Sequence, residues 1–171
     1  MLPAATLLAL LVDLPDCDGY DFPVGAPDAL GYYDAQPFGV NDHLGQDWNG
    51  LGGGATDRGD PVFAVAHGVV TLAGDQGGGW GNVVIVAHHL EVDQGLVETL
   101  YGHLETLDVE LGQILTRGQQ LGTIGDAGGV YVPHLHFELR DRAGLGVGPG
   151  YGADKPGWLD PQVFIDAHRP G

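Results

Sequence analysis

Serine occurs nowhere in the 171-residue chain, which removes every hydrolytic chemistry that runs on a serine nucleophile. Cysteine occurs once, at Cys17, so an intramolecular disulfide and any multi-cysteine zinc or iron–sulfur site are excluded. A thiol nucleophile would have to be Cys17 itself, in the acidic stretch LPDCDG, where neighbouring carboxylates raise a thiol pKa rather than lower it. Lysine also occurs once, at Lys155, and all Lys and Arg together number 6 against 23 Asp and Glu, a net charge of −17. Such a surface repels phosphate backbones instead of releasing their counterions. Nucleic acid is therefore not expected as a partner, nor is strong association with anionic membranes or anionic wall polymers.

Long helical periods are missing as well. Thirty-one glycines and 11 prolines punctuate short apolar runs, the pattern of a β-rich chain with many turns and few short helices, and 171 residues without an internal repeat suit one domain with its own core. Residues 1–37 read as a lead-in, apolar and then acidic, with 13–37 loosely structured; the domain proper is expected over 38–171. The apolar run Leu2–Val12 is too short to span a bilayer. It resembles a signal-peptide core lacking its positive start; a strand or amphipathic piece of the domain and a misassigned start site are the alternatives.

Strands are predicted at PVFAVAHGVVTLAG (61–74, broken at His67-Gly68), GNVVIVAHH (81–89), LVETLYGHL (96–104), QQLGTIG (119–125) and HLHFELR (134–140). Residues 143–157 are too glycine-rich for a stable element. Asp160 at an N-cap, with Pro161 at the first helical position, opens a short closing helix whose apolar residues are Val163, Phe164 and Ala167.

Three places carry candidate chemistry. In HLGQD, His43 and Asp47 share a face whether the chain is extended or helical, and Gly45 between them favours an extended chain closely approached by another strand. Imidazole nitrogen and carboxylate oxygen both ligate zinc, and a catalytic zinc takes three protein ligands and keeps one position open. In PHLHFELR, alternation puts His134, His136 and Glu138 on one side and Leu135, Phe137 and Leu139 on the other, so one rigid strand offers a third ligand and, beside it, an acid/base partner. His103, in YGHL near a strand end, could be a second such partner; no HExxH helix supplies a glutamate base.

Taken in order, HLGQD, GDPVFAVAHGVV, GNVVIVAHH, LYGHL, GQQLGTIGDAG, PHLHFELR and WLDP resemble the lysostaphin-type (LytM-like) zinc metallopeptidases, which cleave peptide bonds in bacterial peptidoglycan. The resemblance covers about residues 38–161. It implies a small antiparallel β-sheet or barrel-like domain with a groove over the metal, and one zinc per chain held by His43, Asp47 and His136. It further implies that His103 and His134 are the catalytic pair, that peptidoglycan peptides are the substrate, and that the protein is a secreted or periplasmic monomer. The chain departs from the family pattern in three places. GDAGGVYV stands where a Ser/Thr-containing loop is usual before PHLHFE, WNGLGGGATDRGD is long, and FGVNDH lacks an arginine.

The remaining candidates have plainer roles. Glu138 is expected behind the ligands, since a fourth protein ligand would close the site. His88 and His89 are expected to line the groove at most, His67 to sit in a turn, and His168 to complement a helix C-terminus. GDQGGGWGN and GLGGG lack the Gly-Lys-Ser/Thr of a phosphate loop and read as turns, while Trp48, Trp80 and Tyr131 read as packing residues. The leading expectation is a zinc endopeptidase acting on peptidoglycan stems or cross-links. A non-catalytic wall-binding or regulatory module of the same fold is the alternative from another class, and a zinc amidase differs only in its substrate pocket.

Overall fold

A computed structural model of the chain describes residues 16–90 and 95–171, with Thr6, Ala9 and Leu14. The run Leu2–Val12 lies, Thr6 and Ala9 apart, outside the described residues. No helix among the described residues is long and apolar enough to cross a membrane.

Ten antiparallel strands form one sheet: β1 (Tyr32–Gln36), β2 (Gln46–Gly50), β3 (Pro61–Phe63), β4 (Gly68–Asp75), β5 (Asn82–His89), β6 (Leu96–Leu107), β7 (Ile114–Leu115), β8 (Gln120–Ile124), β9 (Leu135–Arg140) and β10 (Trp158–Leu159). The path β1-β2-β9-β6-β5-β4-β7 is open at both ends, with β10 on β9 and β8 joining β6 to β3. The β-branched run NVVIVA makes β5 the buried centre of the sheet, between β4 and β6. Val84 and Val86 pack with Tyr101, Leu104, Leu121, Leu135 and Phe137 in the main core.

The predicted break in residues 61–74 is real, separating β3 from β4. The closing helix α1 (Pro161–Ala167) starts as read: Asp160 Oδ1 accepts from the Gln162 and Val163 N–H groups at 3.0 and 3.2 Å. Its buried face differs, however. Ile165 is fully buried and Phe164 packs on the core, whereas Val163 is 65% exposed.

The stretch expected to be loosely structured, 13–37, is packed onto the domain over its described part. Tyr20, Phe22 and Val24 belong to the main core, and β1 pairs with β2. Arg117 donates to Asp18 and Asp21, tying the stretch down. Cys17 is buried, its thiol hydrogen-bonded to the His67 carbonyl at 3.2 Å. Burial and the nearby Asp18 and Asp16 keep that thiol above its usual pKa, which disfavours the reactive thiolate.

His88 does not line a groove. It is wholly buried, with Nδ1 2.8 Å from the His67 carbonyl and Nε2 2.8 Å from Thr99 Oγ1. Because the carbonyl can only accept, Nδ1 carries the hydrogen and Nε2 accepts from the threonine. Burial pushes this imidazole down to about 4. Below pH 6.5 the unfolded chain takes up a proton that folded His88 refuses, so stability present above pH 6.5 is lost as pH falls towards 4, by up to roughly 3 kcal/mol. Urea unfolding at pH 7 and pH 5 should show the loss in the wild type and a shallower one in His88→Gln. Equal slopes would show that His88 does not carry it.

Candidate metal centre and groove

Register assembles the site. In the β2–β9 pair Asp47 stands opposite His136, and in the β6–β9 pair Gly102 stands opposite His136, so the histidine lies between a carboxylate and a residue with no side chain. Gly45 lets β2 and β9 approach, since a Cβ there would run into the Phe137 carbonyl oxygen. A bulge in β6, where Gly102 and His103 together stand opposite the single β5 residue Val83, turns His103 towards the same point. His103 accordingly adopts a left-handed backbone, φ 62°.

His43, Asp47 and His136 thus converge. His43 Nε2 lies 3.0 Å from His136 Nδ1 and 3.3 Å from Asp47 Oδ1, and His136 Nδ1 lies 3.0 Å from that same oxygen. Each ring is aimed by its other nitrogen. His43 Nδ1 donates to the Gln36 carbonyl and His136 Nε2 to Glu138 Oε1, both at 3.0 Å, which turns the other nitrogen of each ring inward, where it can offer a lone pair to a cation that displaces its proton.

Two imidazole lone pairs and a carboxylate about 3 Å apart suit a small divalent cation: ligand bonds of about 2.0–2.2 Å to a tetrahedral centre put donor atoms roughly 3.3–3.5 Å apart. Burial alone would lower the His136 imidazole, but hydrogen bonds to Asp47 and Glu138 and their charges hold it at about 9. Burial alone would raise the Asp47 carboxyl, but His136 and His43 drive it well below the carboxylate range. The pocket is built for positive charge.

Behind the ligands, β9 continues its alternation as a buried polar row. Glu138 Oε2 accepts from Trp158 Nε1 at 2.8 Å, and Arg140, fully buried, faces Glu138 and Glu98 at 3.9 and 3.4 Å. Arg140 also donates to the Gly146 carbonyl, and Glu98 accepts from the Gly144 N–H, so this row anchors the glycine-rich loop of 143–157. The same loop forms one wall of the groove through Gly150 and Tyr151; the Leu44 N–H donates to the Gly150 carbonyl and the Tyr151 ring tilts over His43 at 5.1 Å.

The groove, about 440 Å³, opens onto Asp47, His103, His134 and His136. His134 Nδ1 donates to the Val132 carbonyl at 2.8 Å, and its Nε2 lies 3.7 Å from Asp47 Oδ1. His103 Nδ1 donates to the Trp80 carbonyl at 3.2 Å, so its Nε2 is the free acceptor. Burial, with His136 and His134 close by, pushes His103 down to about 3, leaving it neutral at physiological pH.

The structure therefore brings all five predicted side chains to one place, and Glu138 behind them. His88 lies elsewhere, and His89 pairs with Asp16. Of the residues read as packing, Trp48 is core and Trp80 packs on a smaller cluster of Val83, Ile85 and Leu100, while Trp80 and Tyr131 also line the groove. In place of the usual hydroxyl-bearing loop, Val130, Tyr131 and Val132 stand at least 46% exposed before His134. The long loop after β2 puts Arg58 across Glu105 and Asp126, bracing that same segment. Gln36, Arg140, Glu98 and Tyr151 escaped sequence reasoning. For Arg140 a signal existed, the parity that puts it on the face of His136 and Glu138.

A buried His-Asp-His cluster beside two more imidazoles in an open groove has the make-up of a mononuclear metallohydrolase. The chain belongs to peptidase family M23, whose model matches residues 42–149. It is 43% identical over 83 residues to the cell division protein DipM of Caulobacter vibrioides, covering 48% of this chain and 13% of DipM. To the DD-carboxypeptidase/endopeptidase Mpg of Neisseria meningitidis serogroup B it is 40% identical over 86 residues, covering 50% of this chain and 18% of Mpg. The match thus covers less than a fifth of either relative's length. Among solved structures, an M23 peptidase from Pseudomonas aeruginosa superposes with TM-score 0.61 at 28% identity over 95% of this chain and 59% of that one. Lysostaphin from Staphylococcus simulans does so with TM-score 0.56 at 23% identity over 88% and 50%, a likeness of fold.

Proposed function

We propose that the protein is a zinc-dependent endopeptidase that hydrolyses peptide bonds in peptidoglycan stems or cross-links, and that it works in the cell envelope, where that substrate lies. The observation that carries the reading is the convergence of His43 Nε2 and His136 Nδ1 on Asp47 Oδ1, at the floor of a groove that also holds the His103 and His134 imidazoles. The family relation and the activity in the printed name of Mpg support it.

In this reading His43, Asp47 and His136 would hold the zinc, which would supply Lewis-acid chemistry to the scissile carbonyl and to a water molecule. His103 and His134 present their Nε2 atoms to the groove because backbone carbonyls occupy both Nδ1 hydrogens. One accepts the proton of the attacking water and a proton returns to the leaving amine, while the other stabilises the charge on the former carbonyl oxygen. The groove walls, Tyr151 on one side and Tyr131 on the other, confine an extended peptide across these groups.

Purified sacculi incubated with zinc-loaded protein should release soluble fragments whose mass spectra show new peptide amino termini. A chelator should abolish the release and added zinc restore it. A wild type that binds one zinc yet releases nothing would make the protein a non-catalytic member of its family.

A further inference from the structure

Trp80 stands where four parts of the site meet. Its carbonyl oxygen accepts from His103 twice, from the backbone N–H at 3.0 Å and from ring Nδ1 at 3.2 Å. Its indole stacks on the His103 ring at 6.0 Å and meets the His136 ring edge-on at 5.1 Å. Two glycines make room for it: a Cβ on Gly102 or on Gly150 would lie 3.3 Å from the six-membered ring of the indole. A tight turn presents the residue, the Trp80 N–H donating to the Gly77 carbonyl and the Gln76 N–H to the Gly81 carbonyl, both at 2.8 Å.

These contacts address a specific difficulty. His103 is a non-glycine residue in a left-handed conformation on a strand bulge, an arrangement that costs energy and persists only where neighbours over-determine it. The two hydrogen bonds to one carbonyl fix both its backbone and its tautomer, and the indole fills the space into which its ring would otherwise swing. The same indole packs against both His103 and His136, whose own ring centroids lie 5.6 Å apart, so it backs a proton acceptor and a metal ligand at once.

We propose that Trp80 is a positioning residue for the peptidase reaction: the indole packed against His103, His136 and the Gly150 wall fixes where the His103 Nε2 lone pair points. The inference rests on the zinc peptidase reading for its kinetic arm, and it carries a structural arm that does not. Its cause is geometric, since a displacement of about 1 Å in a reacting group costs up to roughly a hundredfold in rate.

The experiment compares wild type, Trp80→Phe and Trp80→Ala, each checked for folding and for one bound zinc. With a muropeptide dimer as substrate, Trp80→Ala should lose about 10- to 100-fold in kcat with KM little changed, and Trp80→Phe, which keeps a ring in the slot, should recover most of it. Nitrogen-15 NMR of histidine-labelled, metal-free protein should show one sharp set of His103 imidazole resonances in wild type and Trp80→Phe, and doubled or exchange-broadened resonances from a ring free to swing in Trp80→Ala, the Nδ1–H tautomer being held by the backbone carbonyl in all three. A raised KM with kcat intact would make Trp80 a substrate contact and overturn the proposal. A single sharp His103 resonance set in Trp80→Ala would overturn it even if the wild type proved inactive, whereas inactivity alone would count against the peptidase reading.

Discussion

Asp47→Ala is expected to lose zinc binding, and with it all release of peptide from sacculi. The carboxylate is the one anion in direct contact with both inward imidazole nitrogens, at 3.0 Å from His136 Nδ1 and 3.3 Å from His43 Nε2. Without it, two neutral rings would have to hold a divalent cation alone, so the loss of affinity should exceed the roughly 10- to 100-fold that follows removal of a mere orienting partner. Competition with a chromophoric chelator measures this directly. Fold should survive, because Asp47 contributes no apolar contact to the core; its strand partner His136 stays in register through β6 on the other side. A variant that keeps zinc at wild-type affinity would remove Asp47 from the ligand set and leave the cation to be sought elsewhere in the groove.

His103→Asn gives the second large effect and separates chemistry from metal. Asparagine tolerates the left-handed backbone that His103 adopts at φ 62°, so this exchange keeps the bulge in β6 where alanine would strain it. The amide cannot accept and return a proton as an imidazole does. Activity is expected to fall by roughly 10²–10⁴-fold while zinc stoichiometry stays at one per chain. Measured together, turnover and metal content of Asp47→Ala and His103→Asn should split cleanly: no metal and no activity in the first, metal without activity in the second. Full activity in His103→Asn would leave His134 as the sole proton carrier.

Much of this was legible in the sequence, for reasons that differ by element. β4, β5, β6, β8 and β9 announce themselves by β-branched alternation between glycine turns, and α1 by its Asp-Pro start. β1 and β2 do not, because YYDAQ and QDWNG put polar side chains where an ordinary strand would show apolar ones. Gln46 and Asp47 face buried polar partners, and Gln36 serves the site through its backbone carbonyl, which no side-chain pattern reveals. The burial of His88 was hidden in the same way, since its partners are a carbonyl from residue 67 and a hydroxyl from residue 99. The five histidine and aspartate positions were readable as a set only through their order along the chain. Trp80 and Tyr151 sit in glycine-rich stretches without periodicity, where sequence offers no clue to which side chain turns inward.

The aiming of the metal ligands has a consequence for where this unit can be cut. His43 is oriented by the carbonyl of Gln36, and Glu138, which orients His136, is held by the indole of Trp158. Both braces lie outside residues 42–149, the stretch that the family model matches. A fragment trimmed to the shared stretch would keep every ligand and both groove imidazoles, yet each ligating ring would have lost part of its support. The portable unit of chemistry is therefore longer at both ends than the unit of kinship, and a graft of this site onto another protein has to begin before β1 and run past β10.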